Sequence, residues 1–221
     1  FLQSLLLLWL RQTYHNTCSG FLYAGSMARN LERRTKLADA AVKVLAREGA
    51  RGLTHRAVDA EAGVPKGTAS NYFASRDGIV EAILLRIGER LQPDPKLHEG
   101  LARREPDIEL FAAYLRDIVR RLTTDRDAAI ALFELRLEAT RRPEVAEALT
   151  SWRRSGLEAD VEFNQKMGLP GSPSDITLFH YALDGLILDQ ITVPLDPDAD
   201  SYEAVNVLVD RIVGGKGSAS D

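Results

Sequence analysis

The sequence predicts an all-α protein, and three observations lead to that fold class. Apolar residues recur at the helical period of 3.6 in one segment after another, and no convincing run of alternating β-branched residues lies between tight turns. Each periodic segment is bounded by Pro, Gly, Asp or Ser, which commonly cap or end helices. Hydrophobic residues make up 45% and charged residues 27% of the 221 positions, which is typical of a globular chain with a core.

Residues 1–26 differ from the rest of the chain and are expected to be a leader or a non-native extension. Met27 looks like a natural start, and an Arg- and Ala-rich sequence begins there. The apolar run Leu5–Leu10 is far shorter than the roughly 20 residues that span a bilayer, and no basic residue precedes it as in a secretion signal. The alternative is an amphipathic arm that packs on a partner.

The first helix is predicted between Glu32 and Glu48, and Gly49 is expected to end it. Its apolar stripe consists of Leu37, Ala41, Val44 and Leu45. A second, short helix begins after Thr54, whose hydroxyl suits an N-cap, and ends at Gly63.

The third helix is predicted over residues 66–72, with Pro65 at a first helical position because the fixed φ of proline suits it. Ser75 caps a fourth helix, which stops before Pro93. Residues 92–96 are predicted to be a linker or a kink. Further helices are expected over residues 107–122, 126–140, 143–167, 174–192 and 200–213, followed by a Gly- and Ser-rich flexible tail over 214–221.

Charge is distributed unevenly along the chain. Residues 27–92 hold 12 lysines and arginines against 8 acidic residues, whereas residues 93–221 hold 15 against 24. A basic first part beside an acidic second part suggests that only the first part binds a polyanion. The single cysteine, Cys18, excludes an internal disulfide and a cysteine-based zinc site, which fits a reducing cytoplasm.

Two short helices joined by a glycine-containing turn, behind one longer helix, describe a helix-turn-helix. Gly63 permits the turn, and Val64 and Phe73 are expected to hold the second short helix on the first. A helix presented in this way fits the major groove of DNA, where its side chains reach the edges of bases. The pattern predicts a DNA-binding domain over residues 27–75 and a connecting helix over 76–92, with a plain αα corner as the alternative.

Residues 53–77 closely resemble the DNA-binding signature of the tetracycline-repressor (TetR) family of bacterial regulators. The matching positions are Thr54, Val58, Ala62, Gly63, Val64, Gly67, Thr68, Tyr72, Phe73, Ser75 and Arg76. The sequence departs from the family pattern at Asp59, where alanine is common, and at Pro65 and Ser70. Arg76 matches as a basic residue, although lysine is typical there. The resemblance implies a cytoplasmic, homodimeric transcriptional regulator that binds a palindromic DNA operator and a small-molecule effector.

The resemblance and the helix-turn-helix geometry together identify candidate DNA contacts. The expected base readers are Thr68, Ser70 and Asn71, since Asn71 can pair bidentately with adenine and the methyl group of Thr68 can pack on thymine. Gly67 lacks a Cβ and lets the backbone approach DNA closely, while Lys66 suits a phosphate. The expected contacts are Thr54, His55, Arg56, Lys66, Gly67, Thr68, Ser70, Asn71, Tyr72 and Arg76.

Residues 93–213 are predicted to form the ligand-binding and dimerisation domain that the resemblance implies. Its last two helices are expected to build a four-helix bundle with a second copy, since helix 174–192 is apolar on more than one face. The expected interface consists of Leu178, Ala182, Gly185, Leu186, Val205, Leu208, Val209 and Ile212. Candidates for lining an effector cavity are Phe111, Tyr114, Phe133, Leu137, Trp152, Phe163, Met167, Phe179 and His180. These side chains predict a mostly apolar or aromatic ligand, and the acidic charge of this part would tolerate a cation.

The sequence contains no recognisable catalytic or metal-binding motif. Its four histidines are scattered, and neither a His-Glu-x-x-His motif nor a phosphate-binding glycine loop occurs. We therefore expect no enzyme, no cofactor and no metal. His180 and Asp184 could form a ligand pair, although an intrahelical hydrogen bond is the favoured interpretation. Two alternatives stay open: a DNA-binding regulator without a small-molecule ligand, and a helical protein that binds a small molecule or a lipid. The choice between repressor and activator also stays open.

Overall fold

Ten helices and no strand make up residues 24–214, the part of the chain that the structure, a computed structural model, describes. This confirms the all-α fold class. The helices are α1 (Ala24–Gly52), α2 (His55–Glu61), α3 (Thr68–Tyr72), α4 (Arg76–Arg90), α5 (Pro95–Leu101), α6 (Ile108–Thr124), α7 (Arg126–Ala139), α8 (Pro143–Lys166), α9 (Pro173–Ile191) and α10 (Ser201–Ile212). Most of the expected leader and of the expected tail lies outside the described residues.

The helices form two compact units that interleave along the chain. The first unit consists of residues 24–90 and 127–152, and the second unit of residues 91–126 and 153–214. The break after residue 90 lies close to the division at residue 92 that the sequence suggests. The predicted domains are consecutive segments of the chain, so they do not show that residues 127–152 belong with the first unit.

The core of the first unit is built on the apolar stripe of α1. The four residues predicted for this stripe are fully buried, and α1 packs on α2 and α4. Helix α4 adds Ile79, Ile83 and Ile87, which are also fully buried. Gly49, the predicted end of the first helix, has a φ of 67° and interrupts α1 close to its last residue.

Two local predictions differ from the structure. Helix α3 begins at Thr68, and Pro65 lies in the preceding turn, where its carbonyl accepts the Thr68 N–H at 3.1 Å. The reason is Gly67, whose φ of 87° cannot be part of a right-handed helix. The region expected to be a linker contains the start of α5, because Asp94 caps that helix by accepting the Lys96 N–H.

The second unit is organised around α6, which contacts α5, α9 and α10. Asp107 caps α6, and its carboxylate accepts the Leu110 N–H at 2.6 Å. Ser172 and Asp175 form a capping box at the start of α9. The inner face of α9 is buried as its spacing predicts, through Ile176, Phe179, Leu183, Ile187 and Ile191.

Candidate nucleic-acid interface and effector core

Helices α2 and α3 are the two arms of a helix-turn-helix. Thr54 caps α2, since its hydroxyl oxygen accepts the Ala57 N–H at 3.1 Å. Gly63, with a φ of 59°, ends α2, and the Val64 N–H donates to the Asp59 carbonyl at 3.0 Å. These bonds satisfy one free backbone group at each end of α2. The predicted cap and the predicted turn glycine are confirmed.

Helix α3 has one face in the core and one in solvent. Ala69 is fully buried and Phe73, directly after the helix, is nearly so, which anchors α3 on the first unit. Ser70 and Asn71 are exposed on the opposite side. The structure therefore presents two of the predicted base readers on the outer face of a helix whose inner face is fixed.

The three predicted base readers differ in what their side chains already bind. The Thr68 hydroxyl donates to the Pro65 carbonyl at 2.6 Å, and the Ser70 hydroxyl donates to the Gly67 carbonyl at 2.9 Å. Asn71 has no side-chain hydrogen bond to any residue in the range that the structure describes. Its amide is thus available to a partner without breaking an internal contact.

A buried carboxylate lies behind the start of α3. Asp59, on α2, is 2% exposed. Its Oδ2 accepts the Gly67 N–H at 2.7 Å, and its Oδ1 accepts the Ala69 N–H at 2.6 Å. Gly67 itself has no side chain with which to cap α3, so Asp59 takes that role from the neighbouring helix.

The basic residues around α3 fall into two groups. Arg76 donates to the Ala50 carbonyl and lies 3.6 Å from a Glu138 carboxylate oxygen, so it has partners within the first unit. Arg56 and Lys66 are exposed and, among the described residues, have no ionic partner. These two cations are free to meet an anionic ligand.

His55 and Arg34 hold the end of α3. The His55 Nε2 lies 2.7 Å from the Phe73 carbonyl oxygen, a hydrogen-bonding distance. Arg34, on α1, donates to the Tyr72 carbonyl at 3.1 Å, and its guanidinium lies 5.1 Å from the centre of the Phe73 ring. Both side chains therefore support the position of α3 from behind.

A groove of about 980 Å³ runs along α1 beside Tyr72. Arg33, Lys36 and Lys43 contribute exposed cations to it. These residues are not among the predicted DNA contacts, although their spacing of three and seven places them on one side of α1. The groove extends the basic surface next to α3, although acidic side chains also line it.

Four of the residues predicted to line an effector cavity pack against one another in the second unit. The rings of Phe111 and Phe179 are edge to face with 5.1 Å between their centres, and so are those of Tyr114 and Phe163. His98, on α5, lies edge-on against Tyr114 at the same distance. A ligand that enters this aromatic core has to separate rings that now touch.

A charged network that the sequence does not predict lies in the same unit as the aromatic core. Asp117, on α6, is buried and accepts hydrogen bonds from Arg120 at 2.6 Å and from Arg121 at 2.9 Å. The His98 Nε2 lies 3.1 Å from the same carboxylate. Arg121 is itself buried and also donates to the Leu91 carbonyl. The core of the second unit therefore combines apolar rings with paired charges.

Asp117 and Asp160, two carboxylates of the second unit, have opposite pKa shifts. Burial by itself raises the pKa of Asp117, but hydrogen bonds from its neighbours and the charge of Arg121 outweigh burial and hold that pKa well below its usual range. At Asp160 burial dominates and raises the pKa, although the His180 Nε2 lies 3.0 Å from its carboxylate. The protonated form is therefore more accessible at Asp160 than at Asp117.

The contact predicted between His180 and Asp184 is not formed. His180 pairs with Asp160, and Asp184 accepts a hydrogen bond from Arg153 at 2.9 Å. Both partners lie on α8, so each side chain of α9 bonds to the neighbouring helix instead of along its own. The intrahelical interpretation was wrong.

The remaining predicted pocket residues are distributed differently. Phe133, Leu137 and Trp152 belong to the first unit, whereas Met167 follows α8 in the second unit. Leu137 is 55% exposed, so it does not line an enclosed cavity in this structure. Phe133 is half-buried beneath the guanidinium of Arg136, which lies 5.2 Å from the ring centre.

Helix α9 keeps a second apolar face at the surface. Leu178, Tyr181 and Leu188 are 48%, 65% and 41% exposed, and Gly185 is exposed between them. Ala182 and Leu186, also predicted for an interface, are half-buried. The spacing of 178, 181, 185 and 188 is that of a helix-packing seam, and the sequence analysis had not included Tyr181 and Leu188.

The interface prediction for α10 needs correction. Val205 and Val209 are fully buried or nearly so within the second unit, where α10 packs on α6. They are core residues of one chain because the apolar stripe of α10 faces α6. Leu208 and Ile212 are half-buried.

Within residues 24–214, every helix is too short or too polar to cross a membrane. Over the same residues, His, Cys, Asp and Glu form no group of three or more that could hold a metal ion.

Two family models match the chain. The model described as "Bacterial regulatory proteins, tetR family" matches residues 37–83, and the model "Tetracyclin repressor-like, C-terminal domain" matches residues 106–215. Together they cover more than half of the chain. The comparison with curated proteins returned no match.

Solved structures with the same fold include TetR-family regulators. One from Streptomyces coelicolor A3 is 28% identical with a TM-score of 0.62, and the match covers 82% of this chain and 98% of that one. The multidrug binding protein EbrR, complexed with imidazole, is 27% identical with a TM-score of 0.59 and coverage of 82% and 94%. Its complexes with proflavin and ethidium align at 26% identity and a TM-score of 0.53. A regulator from Rhodococcus sp., at 20% identity, a TM-score of 0.68 and coverage of 83% and 99%, supports the fold alone.

Proposed function

The chain belongs to the tetR family of bacterial regulatory proteins, and we propose that it is a homodimeric repressor that a small, mostly apolar or aromatic ligand releases from a palindromic operator. The observation that carries this proposal is the arrangement of α3. Its inner face is anchored, its outer face presents Ser70 and Asn71, and the free cations Arg56 and Lys66 flank it. Such a helix can enter the major groove while the cations bind phosphates.

In this proposal the DNA contacts divide into readers and positioning contacts. Asn71 is the main reader, and Thr68 and Ser70 are secondary because their hydroxyls already bond to the backbone. The proposed phosphate contacts are Thr54, Arg56, Lys66, Tyr72 and the cations of the α1 groove. Gly67 allows close approach of the backbone. His55 and Arg76 contribute mainly by holding the neighbouring backbone, since both have internal partners.

The proposed dimer interface is the exposed face of α9. An apolar stripe of Leu178, Tyr181 and Leu188 on a helix already buried on its other side calls for a second covering surface. Gly185 lets a partner helix approach closely. A two-fold dimer would place two copies of α3 one DNA turn, about 34–36 Å, apart, which requires a palindromic site. Because its target is bacterial DNA, we propose that the protein acts in the cytoplasm.

The proposed effector site is the aromatic core of the second unit. EbrR, at 26% identity, has been solved with proflavin and ethidium, which are planar aromatic cations. The edge-to-face rings of Tyr114 and Phe163 could part to accept such a molecule, and the carboxylate of Asp160 lies among the charged groups of the same unit. A ligand in this core would then move the two copies of α3 in the dimer out of register with the two half-sites of the operator.

A regulator without a small-molecule ligand is the second candidate. The observation that favours it is the mutual contact of the rings in the second unit, which fill the core by themselves. A titration of proflavin with the protein alone, in which the fluorescence polarisation of the dye reports binding, separates the two candidates. DNA is left out of this assay because the dye also intercalates into duplexes. An effector site is supported if proflavin binds saturably and the Phe163→Ala variant binds it more weakly. The second candidate is favoured if neither aromatic cations nor neutral aromatic compounds bind to the protein.

Selection of duplexes from a random DNA pool tests the DNA-binding function. We expect the protein to enrich a palindrome whose half-sites lie about 10 base pairs apart, centre to centre. Light scattering of the complex should give one dimer per palindrome. A pool that stays random after repeated rounds contradicts the proposed function.

A further inference from the structure

The reading helix is too short to hold itself in place. Helix α3 has only five residues, and an isolated helix of fewer than about 12 is marginal in water. Its N-cap residue, Gly67, has a φ of 87° and offers no side-chain acceptor to the first N–H groups. The position of α3 therefore depends on groups outside it.

One residue supplies the missing acceptors and also closes the preceding helix. The backbone carbonyl of Asp59 accepts the Val64 N–H at 3.0 Å, which ends α2. The carboxylate of Asp59 accepts the N–H groups of Gly67 and Ala69 at 2.7 and 2.6 Å, which starts α3. Asp59 thus binds both ends of the turn that sets the angle between the two helices.

We propose that Asp59 is a positioning residue that fixes the rotation and angle of α3 and thereby determines how sharply the protein discriminates between DNA sequences. The inference rests on the proposed DNA-binding function. Each oxygen of the carboxylate binds a different backbone group, so α3 cannot turn about its axis without losing one of the two bonds. An alanine, common at this position in the family signature, could make neither bond.

Asp59 is expected to position α3 and not to bind DNA itself. Asp59 is buried, so it cannot touch DNA and its negative charge is not presented to phosphates. The exposed cations Arg56 and Lys66 do not depend on it for their charge. Loss of the carboxylate should therefore weaken binding to the selected operator and leave the affinity for scrambled DNA nearly unchanged.

The test uses the full chain with Asp59→Asn, which has the same shape but one acceptor oxygen, and Asp59→Ala, which has none. Val58→Ala is the matched control, because it removes fully buried atoms from the adjacent position of α2 and leaves the carboxylate intact. Exchange of the Gly67 and Ala69 amide hydrogens is measured by NMR without DNA. It is expected to quicken about tenfold or more at both amides in Asp59→Ala and at one of the two in Asp59→Asn, as the loss of a charge-assisted hydrogen bond implies. In Val58→Ala the two amides should exchange no faster than the other amides of the first unit.

The second measurement is the ratio of affinities for the selected operator and scrambled DNA. We expect the ratio to fall about tenfold in Asp59→Ala, consistent with the same hydrogen-bond energy, and to recover in part in Asp59→Asn. Unchanged exchange at Gly67 and Ala69 would overturn the positioning role. Faster exchange with an unchanged affinity ratio would overturn the link to discrimination. A wild-type protein that shows no preference for any DNA would refute the proposed function, while the exchange experiment would still decide whether Asp59 holds α3.

Discussion

The buried network around Asp117 provides the strongest stability prediction. The carboxylate is buried among three cationic or potentially cationic side chains, and Arg121, which it pairs with at 2.9 Å, is also buried. Asp117→Asn keeps the shape of the side chain and removes its charge. Arg121 then stays buried with no carboxylate at that position to balance it. Breaking one partner of a buried ion pair costs about 3–5 kcal/mol, so we expect a loss of at least about 3 kcal/mol in the free energy of unfolding.

Asp184→Asn is the matched control for this substitution. It breaks the Arg153–Asp184 pair, which has the same 2.9 Å distance in the same unit, but its two side chains are 30% and 23% exposed. Solvent screens a partly exposed pair, so we expect the free energy of unfolding to fall by no more than about 1 kcal/mol. The assay is urea unfolding followed by circular dichroism at equal protein concentrations, since dimerisation would make stability depend on concentration. Equal losses in the two variants would mean that burial does not decide the cost of losing the carboxylate.

The difference in the free energy of unfolding between wild type and Asp117→Asn should depend on pH, because the pKa of Asp117 is lowered. Burial raises that pKa, but hydrogen bonds and the charge of Arg121 lower it further than burial raises it. A carboxyl group with a lower pKa in the folded state contributes its full stability above the unfolded pKa of about 4 and loses it as the pH falls toward the folded value. The advantage of wild type over Asp117→Asn should shrink as the pH falls below about 4. An advantage that grows in acid would contradict this account.

The remaining predictions concern DNA contact, the turn and the dimer. Lys66→Ala should weaken binding to selected and scrambled DNA alike and reduce the slope of log affinity against log salt by about 1, measured by fluorescence polarisation at several salt concentrations. Gly63→Ala and Gly67→Ala should each lose about 1 kcal/mol in urea unfolding, because both glycines have positive φ and open space where a Cβ would lie. Only Gly67→Ala should also weaken operator binding beyond its effect on stability. Leu178→Glu should shift the protein toward monomers in size-exclusion chromatography with light scattering, whereas Leu97→Glu, at an exposed leucine of α5, should not.

Much of the fold follows from patterns within single helices. The stripe of α1 and the inner face of α9 are spaced at the helical period, and burial follows that spacing directly. The caps at Thr54 and Ser75 are local side-chain-to-backbone contacts and were predicted from residue type. Helix α5 was missed because Pro95 was interpreted as part of a break, whereas it takes the first helical position of α5.

The candidate site was predictable only where its geometry is local. The exposed face of α3 follows from the sequence between Gly63 and Phe73. The partners of Asp59 and Asp117 do not, because a sequence shows that a residue is acidic but not which backbone or side-chain groups of other segments face it. The stripe that carries Tyr114 also carries Asp117 and Arg121, three and seven residues later, and only the fold shows that these charges are paired within the core.

A base-substitution scan tests whether α3 reads bases through Asn71. Wild type and Asn71→Ala are titrated against the selected operator and against a set of duplexes that each carry one changed base pair. We predict that wild type loses about 1–3 kcal/mol at one symmetric pair of positions, and that Asn71→Ala loses that discrimination while keeping it elsewhere. If Asn71→Ala shows the same loss at every position as wild type, or weakens all duplexes equally, then Asn71 does not read a base and the account is contradicted.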